Sequence, residues 1–209
     1  MLQPVTLVGS LVRLEPLSLD HVAGLVAASS EDPGAYRWNL MPRSEPAMAA
    51  YVTDTLDGWQ AGHTLAFATV AVADDRVVGC TRYCRAEYWA WPADSPWHRA
   101  DGTPDALEVG YTWLAVSAQR SGMNIEAKRL MFAHAFDTWA VHRVSLDTDV
   151  RNQQSRTAIE ALGARFEGVI RAERLGADVT VRDSARYSII LDEWPAVRAH
   201  LDARLARHV

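Results

Sequence analysis

The sequence predicts an α/β (α+β) domain, a mixed and mostly antiparallel central sheet of about six to seven strands with helices on both faces. Three observations carry this expectation. Runs rich in Val, Ala and Phe at residues 64–73, 76–84 and 107–116 have strand length and end in turn-forming residues. Apolar residues recur at helical spacing in 122–139, where Ala127, Met131, Ala135 and Trp139 fall at steps of four. The chain has 209 residues and 49% hydrophobic content, enough to bury one core, so a single domain over residues 1–209 is expected.

Taken in order, Val12 and Leu14 alternate with Arg13 and Glu15 as a half-buried strand that stops at Pro16. Ser18 then caps a helix through residue 28, and Asp32-Pro33-Gly34 breaks the chain. A second helix covers 44–60, capped by Ser44 with Glu45-Pro46 in its first turn. Asp74-Asp75 turns the 64–73 strand back into 76–84 as an antiparallel hairpin. Residues 85–105 hold Trp89, Trp91, Trp97 and three prolines, keep neither period, and read as a long ordered loop. After the 107–116 strand and the 122–139 helix, Val144, Leu146, Thr148 and Val150 alternate with Arg143, Ser145, Asp147 and Asp149, a strand with one wet face. Asn152 caps the next helix, Gly163 supplies its left-handed stop, and a strand resumes over 164–171. A last strand at 179–191 and a terminal helix at 195–207 complete the chain.

Composition excludes several classes. A net charge of -5 leaves no basic footprint for nucleic acid, and a mildly acidic surface suits a cationic amine. Cys80 and Cys84 share one strand face but lie too far apart along it to bridge, so they read as reduced core thiols. Neither cysteine nor histidine spacing builds a metal site, and none is expected. The first eleven residues carry no basic leader, and no run approaches 18 apolar residues, so a cytoplasmic protein with no membrane partner is expected.

Between the strand at 107–116 and the helix after it lies Gln119-Arg120-Ser121-Gly122-Met123-Asn124. A strand, a tight turn and a free helix N-terminus form an anion site, because first-turn amides are unpaired and carry partial positive charge. The loop has neither the Lys-Ser/Thr ending of a P-loop nor the spacing of a dinucleotide fold. It resembles the Q/R-x-x-G-x-G/A pyrophosphate loop of the GCN5-related N-acetyltransferases (GNAT), in particular the RimJ/RimL-like ribosomal-protein branch. Asn124 departs from the Gly or Ala of that pattern, and its side chain either narrows the approach of a pyrophosphate or donates to it. The predicted order β-α-α-β-β-β-α-β-α-β-β extends the resemblance over nearly the full length.

The resemblance implies acetyl-CoA as cofactor and a sheet splayed beside the strand that precedes the loop. Gln119, Arg120, Ser121, Gly122, Met123, Asn124 and Ile125 would hold the pyrophosphate, and Leu114, Ala115 and Val116 would offer backbone groups to the pantetheine arm. It further implies transfer of an acetyl group to a primary amine, either a protein N-terminus or a small molecule, by an enzyme that is often a homodimer. The alternative is a silent acyl-CoA-binding or sensor module of the same fold. Such a transfer needs a neutral amine, a donor to the carbonyl oxygen and a proton for the leaving thiolate. A backbone N–H near Leu114 or Ala115 is the expected donor. Glu108 is the leading base and Glu173 the second; a bland role for Glu108, facing solvent or paired with a neighbouring Arg, stays open. The helix position that often carries Tyr in the family is Ile159, whereas Asn152-Gln153-Gln154-Ser155 matches an Asn-x-x-Ser signature. Ser155 would serve the thiolate and Asn152 the pantetheine amide, or the pair is a simple helix cap. Trp38, Tyr83, Trp89 and Trp91 are the expected acceptor wall, with Asp94, Asp101 and Asp105 able to attract an ammonium.

Overall fold

The computed structural model describes residues 2–39, 41–98 and 102–208. Eight strands form one sheet: β1 (Leu7–Val8), β2 (Val12–Pro16), β3 (Thr64–Ala71), β4 (Val77–Glu87), β5 (Ala106–Leu114), β6 (Arg143–Asp149), β7 (Arg165–Leu175) and β8 (Val181–Ile190). Their spatial order is β1-β2-β3-β4-β5-β6-β8-β7. The helices are α1 (Val22–Ser30), α2 (Glu45–Gln60), α3 (Met123–Ala133), α4 (Gln153–Ala161) and α5 (Trp194–Leu205). The expected order of elements is borne out, with β1 added at the edge, so the sheet has eight strands rather than six or seven. Other bounds shift by local chemistry. Strand β4 runs on to Glu87 and shortens the expected loop, β5 ends at Leu114 in a 3-10 turn at Val116–Ala118, and α3 finishes in a π-helical turn at His134–Thr138.

Local signals account for the elements. Ser44 accepts a hydrogen bond from the Ala47 N–H at 3.4 Å and starts α2. Asn152 accepts from the Ser155 N–H at 3.0 Å and starts α4, which ends where Gly163 takes φ +93°. The sheet is covered on both faces. On one, Leu25, Met48 and Val52 of α1 and α2 pack on Ala68, Val78 and Trp113. On the other, Met131, Phe132, Ile159 and Leu201 pack on Phe67, Val109 and Tyr187. Cys80 and Cys84 are buried free thiols.

Two irregularities of β5 position the site. Strand β4 pairs Cys80 with Trp113 and Arg82 with Gly110, so Thr81 stands opposite both Tyr111 and Thr112. This is a β-bulge, and Tyr111 adopts φ +51° there. The second is the β5–β6 junction, the sheet's one parallel pairing among the described residues. It holds only at Ala106↔Arg143, Leu107↔Val144 and Glu108↔Ser145, although β5 runs on to Leu114 and β6 to Asp149. Beyond Glu108 the strands diverge and a gap opens toward their carboxyl ends.

Candidate functional site

Both turns at the mouth of this gap start helices. On the β5 side, Ser121 Oγ donates to the Ala118 carbonyl at 2.6 Å, while Arg120 and Gly122 take φ +60° and +86°. Left-handed residues lie on either side of Ser121, and the N-cap Gly122 brings no side chain; the Met123 N–H makes a 3.4 Å bond to Ser121 Oγ, and the next first-turn amides, of Asn124 and Ile125, have no side-chain cap and are available to an anion. A Cβ on Gly122 would come within 2.9 Å of the His208 ring and 3.1 Å of Leu11, a further reason for glycine. Asn124 Oδ1 is buried without a hydrogen-bond partner. Free first-turn amides fit a loop whose ligand is an anion, whereas Asn124 Oδ1, itself an acceptor, takes no bond from a diphosphate.

Along the gap, Leu114 O accepts from Tyr36 Oη at 3.1 Å and from Gln119 Nε2 at 3.2 Å, tying the loop to β5. The Ala115 N–H donates to Val78 O at 2.7 Å. Ala115 is therefore not the oxyanion donor; strand alternation turns the Leu114 N–H to the opposite edge, toward the gap. Val116 lies exposed at the turn. On the β6 side, Asn152 and half-buried Ser155 open α4, and Asn152 caps it through Oδ1, a bond that uses neither its own Nδ2 nor the Ser155 hydroxyl. Trp38 stands at the same edge, between the guanidinium groups of Arg37 and Arg151 at 5.1 and 4.9 Å.

At the vertex, on the face away from α3, sits a charged cluster. Arg85, with φ +50°, reaches three carboxylates: Glu108 at 3.4 Å, Asp147 at 3.6 Å and Glu173 at 2.8 Å. Arg186 clamps Asp147 with two bonds of 2.9 and 2.6 Å, and Arg174 holds Glu173 at 2.9 Å. Glu108 is only 3% exposed, and Gly110 leaves room for it, since a Cβ there would fall 2.8 Å from Glu108 Oε1. Its Oε2 is near Arg85 but makes no hydrogen bond. Burial, together with neighbouring Asp147, raises the Glu108 carboxyl above its ordinary range against the pull of Arg85 and Arg174. For Glu173 burial also pushes upward, but hydrogen bonds from Arg174 and Arg85 overrule it and hold the group down at about 2. Glu173 is thus a weak base in this setting, and Glu108, raised by its burial, is the stronger base of the two.

The structure brings Glu108 and Glu173 together but separates the expected aromatic wall. Tyr83 is fully buried beneath α3, donates to Met131 O at 2.7 Å and packs on Phe67 and Trp139, so none of it is left for a ligand. Trp89 and Trp91 lie at the amino-terminal end of β5, around His142, with Trp91 Nε1 donating to Asp105 at 2.7 Å. Asp105 accepts from the Trp91 indole and the Trp89 backbone N–H; Asp94 is exposed and Asp101 lies outside the described residues. Arg85, Asp147, Arg174 and Arg186 were missed. Their one signal is polar alternation in β6, which marks charge in the middle of a sheet rather than a wet edge. Among the described residues no carboxylate or histidine group has metal-holding geometry, and no helix is long and apolar enough to cross a membrane.

The model of the acetyltransferase (GNAT) domain family matches residues 12–165. The fold superimposes on the crystal structure of a protein from T. thermophilus assigned as an acetyltransferase, with a TM-score of 0.78, 33% identity, and coverage of 98% of this chain and 99% of that one. A GCN5-related N-acetyltransferase from Brucella melitensis superimposes with a TM-score of 0.81 and 26% identity, over 96% of this chain and 85% of that one. The Bacillus subtilis (strain 168) protein YdaF, assigned as a ribosomal N-acetyltransferase, is 30% identical over 97 residues, 46% of this chain. That match spans about half the length of the curated relative, 52%.

Proposed function

The chain belongs to the GNAT acetyltransferase family, and on that premise we propose that it is an acetyl-CoA-dependent N-acetyltransferase acting on a primary amine by direct attack on the thioester. The observation that carries the reading is Glu108, buried at the vertex of the β5–β6 gap with one carboxylate oxygen unbonded, on the strand that leads into the anion loop. The cofactor supplies an acetyl thioester. The amides of residues 119–125 hold its diphosphate, and the backbone of Leu114, Ala115 and Val116 lines its arm. Glu108 removes a proton from the ammonium, directly or through one water, and so frees the lone pair that attacks. The Leu114 N–H donates to the carbonyl oxygen as charge builds there. Asn152 holds the arm, and Ser155 donates to the departing sulfur.

The acceptor is a protein N-terminus or a small-molecule amine; kinship with YdaF supports the former. Trp38, beside Arg151 at the mouth, serves acceptor recognition. The whole chain acts as one cytoplasmic domain, paired as a homodimer through β7 and the start of β8. This edge exposes Phe166 (50%), Val169 (50%), Leu175 (72%) and Val181 (73%). Sedimentation of Leu175→Glu against the native chain tests the dimer. For the activity, thiol release from acetyl-CoA is followed with a panel of peptides and amines, alongside calorimetric binding of acetyl-CoA. Glu108→Gln is expected to slow release about 10²–10⁴-fold and keep binding. The silent sensor reading draws on Ile159, buried where the family often has Tyr, and it wins if acetyl-CoA binds yet no amine releases thiol.

A further inference from the structure

The charged cluster does not balance. Glu108, Asp147 and Glu173 are shared among Arg85, Arg174 and Arg186. Two arginines on the same face of the sheet are left over. Arg182 stands directly across from Arg174 in the β7–β8 ladder, a like-charged pair, and its half-buried side chain has an Nε with no partner. Arg82, two residues along β4 from the Cys84↔Glu108 pair, lies 3.9 Å from the Tyr111 ring centre. It donates to Tyr51 Oη at 2.7 Å, and its Nε is also unpartnered. Among the described residues neither guanidinium has a carboxylate within ion-pair distance. Guanidinium groups desolvated without a counter-charge are costly, and a ligand that brings an anion relieves them.

We propose that the amine acceptor carries a carboxylate near its amine, recognised by Arg182 and Arg82 while the amine lies at Glu108. The inference rests on the N-acetyltransferase reading and narrows its substrate class to anionic amines: an acidic peptide N-terminus or an amino-acid-like molecule. It reverses the expectation of a cationic amine drawn from the net charge of -5, because the sign of a site is set by the side chains that face it. The diphosphate of the cofactor is met by the loop at 119–125 on the gap's mouth, which leaves the leftover arginines for the acceptor. Arg suits the task, since its fork meets both oxygens of a carboxylate.

The test compares acceptor pairs equal in size that differ by one negative charge: a peptide with Asp at its second position against its Asn counterpart, and alanylalanine against its C-terminal amide, with spermidine as the cationic extreme. The charged member is expected to show a kcat/KM at least about tenfold higher, the scale of a charge-assisted hydrogen bond. Arg182→Gln should bring the two members level with no change in the KM for acetyl-CoA, and Arg182→Lys should restore part of the difference. Equal turnover of the pair, preference for the neutral member or spermidine, or a preference that survives Arg182→Gln would each overturn the proposal. So would a raised KM for acetyl-CoA in Arg182→Gln, which would assign the arginine to the cofactor. If acetyl-CoA binds but no member of any pair is acetylated, the N-acetyltransferase reading itself falls, and this one with it.

Discussion

Lys128 gives the sharpest quantitative expectation. It lies on α3, is 3% exposed, and its Nζ donates to Thr81 Oγ1 at 2.8 Å and Thr112 Oγ1 at 2.5 Å. No carboxylate is paired with it among the described residues, and burial pushes the amine down to about 7 from 10.5. A neutral amine has two N–H donors for two hydroxyl acceptors, so the uncharged form is the one the site fits. Below pH 7 both folded and unfolded chains bind the proton, and the fold bears the full cost of a buried ammonium. Between about 7 and 10.5 the unfolded chain keeps a proton the folded chain has released, so stability rises with pH. The whole window spans 10.5 − 7 = 3.5 units, a ceiling of about 5 kcal/mol, of which about 2 kcal/mol falls between pH 7 and 9. Lys128→Met removes the charge and leaves Thr81 and Thr112, already 2.9 Å apart, to bond each other. Urea unfolding of both proteins at several pH values isolates the effect, since all other titrations cancel in the difference. Relative to the variant, the native chain should gain about 2 kcal/mol from pH 7 to 9. A difference that stays flat with pH would refute the argument that this lysine sheds its proton on folding.

The remaining expectations follow from the site and its supports. In the native enzyme kcat/KM should rise with pH through a value above the ordinary glutamate range, because burial raises Glu108 and the ionised form is the base; Glu108→Gln should lose that limb and about 10²–10⁴-fold in rate. Gly122→Ala sets a Cβ against His208 and Leu11 at φ +86°, and calorimetry should find acetyl-CoA affinity reduced about tenfold or more with stability lowered by about 1–2 kcal/mol. Glu126 accepts from the N–H groups of Ser10, Leu11 and Val12 at 2.9, 2.6 and 2.8 Å, so Glu126→Ala orphans three amides and should cost about 3 kcal/mol, read as a melting point lower by roughly 6–12 °C.

Periodicity and caps were enough to place Ser44, Asn152 and Gly163 at the helix ends they occupy, because those signals act within a turn of the residue that carries them. Strand β1 escaped notice since two residues, Leu7 and Val8, display no period. The turn at Gly122 that starts α3 was legible for the same local reason as the caps. The charged cluster was not: Arg85, Glu108, Asp147, Glu173 and Arg186 sit on five strands, and only the spatial order β4-β5-β6-β8-β7 makes them neighbours. Local sequence also misdirected the aromatic reading. A dense run of tryptophans in a loop looks like a binding wall, yet Trp89 stacks on His142 at 5.5 Å and Trp91 bonds Asp105, which closes the far end of the sheet.

The bulge in β5 links the fold to the chemistry. One extra residue, Tyr111 at φ +51°, turns the strand after Gly110, and the β5–β6 pairing has already ended at Glu108. Had β5 stayed regular, its alternation would carry the Leu114 N–H to the other edge, because a one-residue change in register reverses every group that follows. The bulge is held from behind by Lys128, which grips Thr81 on β4 and Thr112 on β5 together. Lys128 belongs to the same rigid helix whose uncapped N-terminus forms the anion loop. The turn proposed for the diphosphate at one end of α3 and the aim of the β5 amide are therefore fixed by a single element, within two turns of each other. This coupling explains why a buried lysine, unfavourable for stability near neutral pH, occupies a position that an apolar side chain would fill at lower cost.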